Sequence, residues 1–72
     1  MSDTRWWRLK DWVINLLRQE PMGADELASL LNKPVDILYV GMILEDMISK
    51  GEIDYSKWVF TLSIKTQEET KP

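Results

Sequence analysis

The chain has 72 residues, of which 44% are hydrophobic and 29% are charged, and its formal net charge is −3. This length and composition fit one small folded domain and exclude an intrinsically disordered chain. The sequence contains neither cysteine nor histidine, which excludes disulfides and removes the commonest metal ligand and general base. We therefore expect no metal and no cofactor.

Targeting and membrane signals are also missing from the sequence. No segment is as long and apolar as a membrane-spanning helix. The N-terminal residues lack the uninterrupted apolar run of a signal peptide. We therefore expect an intracellular, cytoplasmic protein with no membrane partner.

The first predicted element is a helix from Arg5 to Glu20. Apolar residues at helical spacing predict its core-facing stripe, which comprises Trp6, Leu9, Trp12, Val13, Leu16 and Leu17. Pro21 ends the helix, because the residue before a proline is driven out of the α region. The next residue, Met22, is expected to be extended.

A second helix is predicted at residues 24–31, with Leu27, Leu30 and Leu31 as its apolar stripe. A third is predicted at residues 34–50, between a proline suited to the first helical position and Gly51, which can adopt the left-handed cap conformation. Its predicted core face comprises Ile37, Val40, Gly41, Leu44, Met47 and Ile48. Its predicted outer face comprises Val35, Leu38, Tyr39, Met42, Asp46 and Ser49, with Glu45 at the margin.

After Gly51 the apolar period changes to the alternation of a β-strand. Ile53 and Tyr55 alternate with polar residues in the first strand. The second strand is predicted to place Trp58, Phe60, Leu62 and Ile64 on one face. We expect a tight turn at Ser56-Lys57 between them. Residues 66–72 are polar and predict a flexible tail.

The segment GADELASLLNKPVDILYVGMILEDMISKGEIDY, followed by WVFTLSI, resembles a winged helix-turn-helix domain. The resemblance rests on the order of elements, on Glu26-Leu27-Ala28 at the start of the second helix, and on Gly51 at the end of the third. It implies a compact α+β fold of order α-β-α-α-β-β over residues 1–65. Because this fold serves DNA binding, RNA binding and protein docking, it leaves the function open.

In the usual DNA-binding mode of this family the third helix enters the major groove. Here the segment 34–50 has a net charge of −2, because Lys50 is outnumbered by Asp36, Glu45 and Asp46. An acidic helix repels phosphate. The positive charge lies instead on the first helix, so the candidate nucleic-acid-binding residues are Arg5, Arg8, Lys10, Arg18 and Lys57.

The apolar outer face of the third helix indicates a protein contact. Its candidate residues are Val35, Leu38, Tyr39, Met42 and Asp46. Trp7 and Ile14, near the middle of the face of the first helix opposite its core stripe, are candidates for a second docking seam. Either face could build a homodimer. The alternative is that other parts of the chain cover these faces.

Two functions follow from these observations. The first is a non-enzymatic, protein-interacting or dimerising regulatory module, whose contact is the outer face of the third helix. The alternative is a DNA-binding regulator of transcription that uses basic residues of the first helix and the hairpin, as a dimer. No catalytic residues are predicted, because the sequence lacks histidine, cysteine and a glycine-rich phosphate loop.

Overall fold

The computed structural model describes residues 4–56 and 59–63. The elements in chain order are the helices α1 (Thr4–Gln19), α2 (Ala24–Ser29) and α3 (Pro34–Ser49), and the strands β1 (Ile53–Ser56) and β2 (Val59–Leu62). The two strands form an antiparallel hairpin. The predicted α+β class, with three helices and a two-stranded hairpin, is therefore confirmed. None of the described helices is long and apolar enough to cross a membrane.

The predicted core stripe of α1 is confirmed. Leu9, Val13 and Leu17 recur every fourth residue and are buried. The residues Trp6, Trp12 and Leu16 are half-buried and pack against the same core. The helix ends one residue earlier than predicted, at Gln19.

Met22 is extended, as predicted, and joins the chain between α1 and α2 to the hairpin. Its N–H donates to the carbonyl oxygen of Phe60 at 3.3 Å, and the N–H of Phe60 donates to the carbonyl oxygen of Met22 at 2.7 Å. β2 thus pairs with β1 on one edge and with this single residue on the other. The pairing fixes the position at which α2 begins.

The second helix is shorter than predicted. Leu27 is buried in the core, as expected, and Leu31 is half-buried against it. Leu30 is exposed, contrary to the predicted apolar stripe. The reason is that α2 ends at Ser29, so Leu30 is the C-cap residue and no longer follows the helical face.

Both ends of α3 follow their sequence signals. Pro34 occupies the first turn, where its missing N–H costs no hydrogen bond. Gly51 has a φ of 73°, a conformation that L side chains rarely adopt. Its N–H donates to the carbonyl oxygen of Ile48 at 3.0 Å, and the N–H of Glu52 donates to that of Met47 at 2.9 Å. This hydrogen-bonded cap ends the helix and turns the chain into β1.

The buried face of α3 is rotated from its predicted position. The buried residues are Asp36, Val40, Ile43, Leu44 and Met47, whereas Ile37, Gly41 and Ile48, predicted to face the core, are exposed. α1 and β1 pack against α3 and cover the side that carries Ile43. The short α2 leaves the side that carries Ile37 uncovered.

The inner face of the hairpin packs against the hydrophobic core. Ile53 pairs with Leu62, and Tyr55 pairs with Phe60, so all four side chains share one face. Ile53, Phe60 and Leu62 are buried, which confirms the predicted alternation. The Tyr55 ring is more exposed and lies 4.6 Å from the ring of Phe60, centroid to centroid.

Ser56, predicted to belong to the turn, is part of β1 and pairs with Val59, so the prediction for this residue is wrong. The other predicted turn residue, Lys57, lies outside the described residues, as do the predicted positions of Trp58 and Ile64 on the inner face and the polar tail at 66–72.

Candidate interaction surface

The outward side of α3 exposes three large apolar side chains next to one another. Leu38 is 63% exposed, Met42 42% and Ile37 41%. With Gly41 and Glu45 they line a shallow depression of about 390 Å³, and we call these five residues the α3 face. An exposed cluster of large apolar side chains on so small a protein often marks a contact surface.

A groove between α2 and α3 continues the α3 face. It has a volume of about 200 Å³, and we call it the α2–α3 groove. Small residues line it on both sides, Ala24 and Ala28 on α2 and Gly41 on α3. Ile37 and Gly41 line both the groove and the depression on α3. The two depressions therefore form one concave surface.

Gly41 lies where the groove and the α3 face meet. A Cβ atom built at this residue would have no neighbouring atom within 4 Å. A glycine inside a helix costs about 0.5–1 kcal/mol of stability relative to alanine. The packing of this chain therefore does not require a glycine here, and the missing side chain leaves a notch in the surface.

Among the described residues that line this concave surface, every charged residue is acidic. Asp25 lines the α2–α3 groove and Glu45 the α3 face. Asp25 and Glu26 also line a third depression of about 440 Å³ at the start of α2. Within residues 4–56 and 59–63, none of these three carboxylates is ion-paired. The surface is thus an apolar groove with an uncompensated negative rim.

The residues predicted for a protein contact on the third helix are not all exposed. Val35, Leu38 and Met42 are exposed, as expected. Tyr39, predicted to lie on the outer face, is half-buried and packs against the core. The Arg5 guanidinium carbon lies 5.7 Å from the centre of its ring, because the N-terminal turn of α1 covers this side of α3.

Asp46 forms a local ion pair at the margin of α3. Its Oδ2 atom lies 2.9 Å from Nζ of Lys50, one turn further along the chain. The hydrogen bond to Asp46, and then the charge of Asp46, raise the pKa of Lys50 above its usual value of 10.5. Asp46 is half-buried, and its carboxylate already has a partner in Lys50, the C-cap residue of α3.

The second predicted seam, on the first helix, is not continuous. Trp7 is 59% exposed, and the Nζ atom of Lys10 lies 5.6 Å from the centre of its ring. Ile14 is half-buried and packs against the core cluster. Trp7 thus projects alone from α1 and does not form an exposed stripe with Ile14.

Two of the candidate nucleic-acid-binding residues contact a buried carboxylate. Asp36, in the first turn of α3, is only 8% exposed. Its Oδ1 atom lies 3.5 Å from Nε of Arg5 and 3.9 Å from Nη2 of Arg8. The positive charge that the sequence concentrates on the first helix is therefore partly neutralised inside the molecule.

The remaining basic candidates differ in their surroundings. The Lys10 side chain is 13% exposed, and its Nζ atom lies 3.2 Å from Oε1 of Glu52. Arg18 is exposed and forms no ion pair with the described part of the chain. Lys57 lies outside the described residues. The structure thus brings no group of unpaired basic side chains together among the candidates that it describes.

Sequence reasoning missed the contributions of Ile37, Gly41 and α2 to the concave surface. Ile37 and Gly41 were both expected to face the core. The signal that could have placed them outside lies in α2, where Ala24 and Ala28 are too small to cover the neighbouring side of α3.

Within the described ranges, no group of three or more histidine, cysteine, aspartate or glutamate residues is placed to hold a metal ion. The chemistry that the concave surface offers is apolar contact, bordered by negative charge. Comparisons of the chain with protein-family models, curated proteins and solved structures found no match.

Proposed function

We propose that this chain is a non-enzymatic protein-interaction module whose contact surface is the α3 face. The observation that carries the proposal is the exposure of Ile37, Leu38 and Met42 beside one another on a helix. Burying a large apolar side chain contributes about 1.5–3 kcal/mol. The three side chains are already partly buried, so a partner that covers them gains a part of this free energy from each.

The order of elements supports assignment to the winged helix-turn-helix class. A helix, an extended residue, two further helices and a hairpin follow one another, and the extended Met22 pairs with Phe60 of the hairpin. In the DNA-binding members of that class the outward side of the third helix reads bases. By analogy with the fold, we propose an intracellular regulatory role in an assembly that acts on nucleic acid.

The chemistry of α3 favours a protein partner over DNA. Leu38 and Met42 project where a DNA-reading helix would carry arginine or lysine, and Glu45 adds a negative charge. On α1, Arg5 and Arg8 lie next to Asp36. DNA binding through the first helix would require these side chains to leave a buried carboxylate without its countercharge.

The test compares Leu38→Glu with Asp11→Lys, an exposed substitution on α1. We would measure self-association by sedimentation velocity and capture of cellular proteins by affinity purification. We expect self-association or capture of at least one protein to be lost in Leu38→Glu and retained in Asp11→Lys. Circular dichroism and urea unfolding would establish that both variants fold. The proposal fails if Leu38→Glu retains the assembly state and every captured protein.

A further inference from the structure

The three depressions next to α2 and α3 form one extended surface. The depression at the start of α2 shares Ala24 and Asp25 with the α2–α3 groove. The groove in turn shares Ile37 and Gly41 with the α3 face. A ligand with an elongated apolar side could therefore contact both helices at once.

The dimensions and the small residues of this surface suit a helix. The stretch from Ile37 to Glu45 is about 12 Å long at a rise of 1.5 Å per residue, which matches between two and three turns of a partner helix. Ala28 on α2 and Gly41 on α3 both line the groove and carry no large side chain. Small residues allow two helices to approach closely, and an apolar stripe at helical spacing fills such a groove.

The charge of the residues around the groove indicates which side chains a partner helix carries beside its apolar stripe. Among the described residues that line the three depressions, only Asp25, Glu26 and Glu45 carry a charge. The complement of an apolar groove with three unpaired carboxylates is an apolar stripe flanked by basic residues.

A second copy of the chain fits this surface poorly. Two copies that met through it in a symmetric dimer would bring Glu45 and Asp25 of one copy close to the same carboxylates of the other. Like charges placed together at a contact oppose binding. The overall charge of −3 adds a repulsion between copies.

We infer that the α2–α3 groove and the α3 face together bind an amphipathic helix of another protein, with lysine or arginine on both sides of its apolar stripe. The inference rests on the proposed function and adds the chemistry of the partner. The apolar stripe contacts Ile37, Leu38 and Met42, and its smallest residue lies against Gly41. The basic side chains extend towards Asp25 and Glu45.

The experiment is a selection of peptides by the intact protein. The probe is a displayed library of helical peptides of about 15 residues, with a fixed apolar stripe at helical spacing and randomised flanking positions. Selected peptides are labelled, and their dissociation constants are measured by fluorescence anisotropy against wild type, Glu45→Lys, Leu38→Glu and Asp11→Lys. Asp11→Lys is the matched control for Glu45→Lys, because it makes the same change of charge at an exposed site on α1.

We expect lysine and arginine to be enriched beside the stripe. Glu45→Lys should weaken binding about threefold to tenfold, because an attraction across the rim becomes a repulsion. Asp11→Lys should leave the affinity unchanged, and rising salt should reduce the difference between the two variants.

The other outcomes separate this inference from the proposed function. Selected peptides with neutral or acidic flanks whose binding is lost in Leu38→Glu would overturn the basic-helix inference and retain the α3 face as a contact. Equal binding to wild type and Glu45→Lys would also overturn it. If the selection yields no binding peptide, the inference is overturned. The proposed function is then tested separately by the capture experiment with Leu38→Glu.

Discussion

The Nε atom of Arg5 on α1 lies 3.5 Å from the Oδ1 atom of Asp36 on α3. Arg8 approaches the same oxygen at 3.9 Å. Because Asp36 is buried, the two arginines provide the countercharge that allows a carboxylate at this depth. The contact links the first turns of two helices that are distant in the sequence, so its removal should affect the stability of the whole domain.

Asp36→Asn tests that contribution while preserving the size of the side chain. We expect the free energy of unfolding to fall by about 1–2 kcal/mol, because the charge pair and a favourable helix-dipole interaction are both lost. Urea unfolding followed by tryptophan fluorescence measures the change. Asp54→Asn, on the exposed outer side of β1, is the control. Equal midpoints for Asp36→Asn and wild type would contradict the proposed role.

Gly41→Ala should make the folded protein more stable and weaken its binding of a partner helix. We expect the free energy of unfolding to rise by about 0.5–1 kcal/mol, because alanine favours the helix and its Cβ meets no other atom. Binding of a partner helix should weaken, because the notch at the end of the groove is filled. Denaturant unfolding and peptide affinity would be measured on the same samples. Unchanged affinity in the stabilised variant would show that the notch is not a point of contact.

Tyr39→Ala and Leu38→Ala should differ although the two residues are adjacent. Tyr39 packs against the core beneath Arg5, so we expect its truncation to cost about 2 kcal/mol of stability. Leu38 is exposed, and its truncation should change stability by no more than about 0.5 kcal/mol. Thermal and urea unfolding would measure both. Similar losses of stability in the two variants would contradict the assignment of Tyr39 to the core and of Leu38 to the surface.

We expect the protein to show no measurable binding to a labelled DNA duplex as the salt concentration is raised to the physiological range. Arg5, Arg8 and Lys10 lie next to carboxylates, so few phosphates would be neutralised on contact. Fluorescence anisotropy over a series of salt concentrations tests this expectation. Micromolar binding with a steep salt dependence, reduced by Arg18→Glu, would favour the DNA-binding alternative.

The Lys50–Asp46 pair should contribute a pH-dependent stability. The hydrogen bond to Asp46 and its charge raise the pKa of Lys50 in the folded protein above the usual 10.5. The contribution is therefore fully present below pH 10.5 and is lost as the pH rises through the folded-state pKa. NMR titration of the Lys50 side chain should give a lower midpoint in Asp46→Asn than in wild type. Identical midpoints would rule out the coupling.

The fold follows from local signals in the sequence to a large extent. The stripe of Leu9, Val13 and Leu17 is spaced so regularly that it identifies the buried side of α1. Pro34 and Gly51 likewise define the limits of α3. Each of these signals acts within its own element, so the remainder of the chain is not needed to interpret it.

The orientation of α3 could not be obtained in the same way. This helix carries apolar residues around most of its circumference, so periodicity gives only a weak indication of the side that faces inward. Its buried sector is decided by α1, which supplies two arginines to Asp36, and by β1. The candidate surface is what these neighbours leave uncovered, and therefore it depends on contacts between elements.

The hydrogen bonds between Met22 and Phe60 have a consequence for how the domain opens. They close a loop of chain that contains α2, α3 and the first strand, and hence the whole candidate surface. Separating the ends of this loop breaks the pairing of Met22 with the hairpin, whereas local fraying of α2 leaves it intact. The amide protons of Met22 and Phe60 should therefore exchange with solvent more slowly than those of α2. Their exchange rates would report how often the entire segment detaches as one cooperative unit.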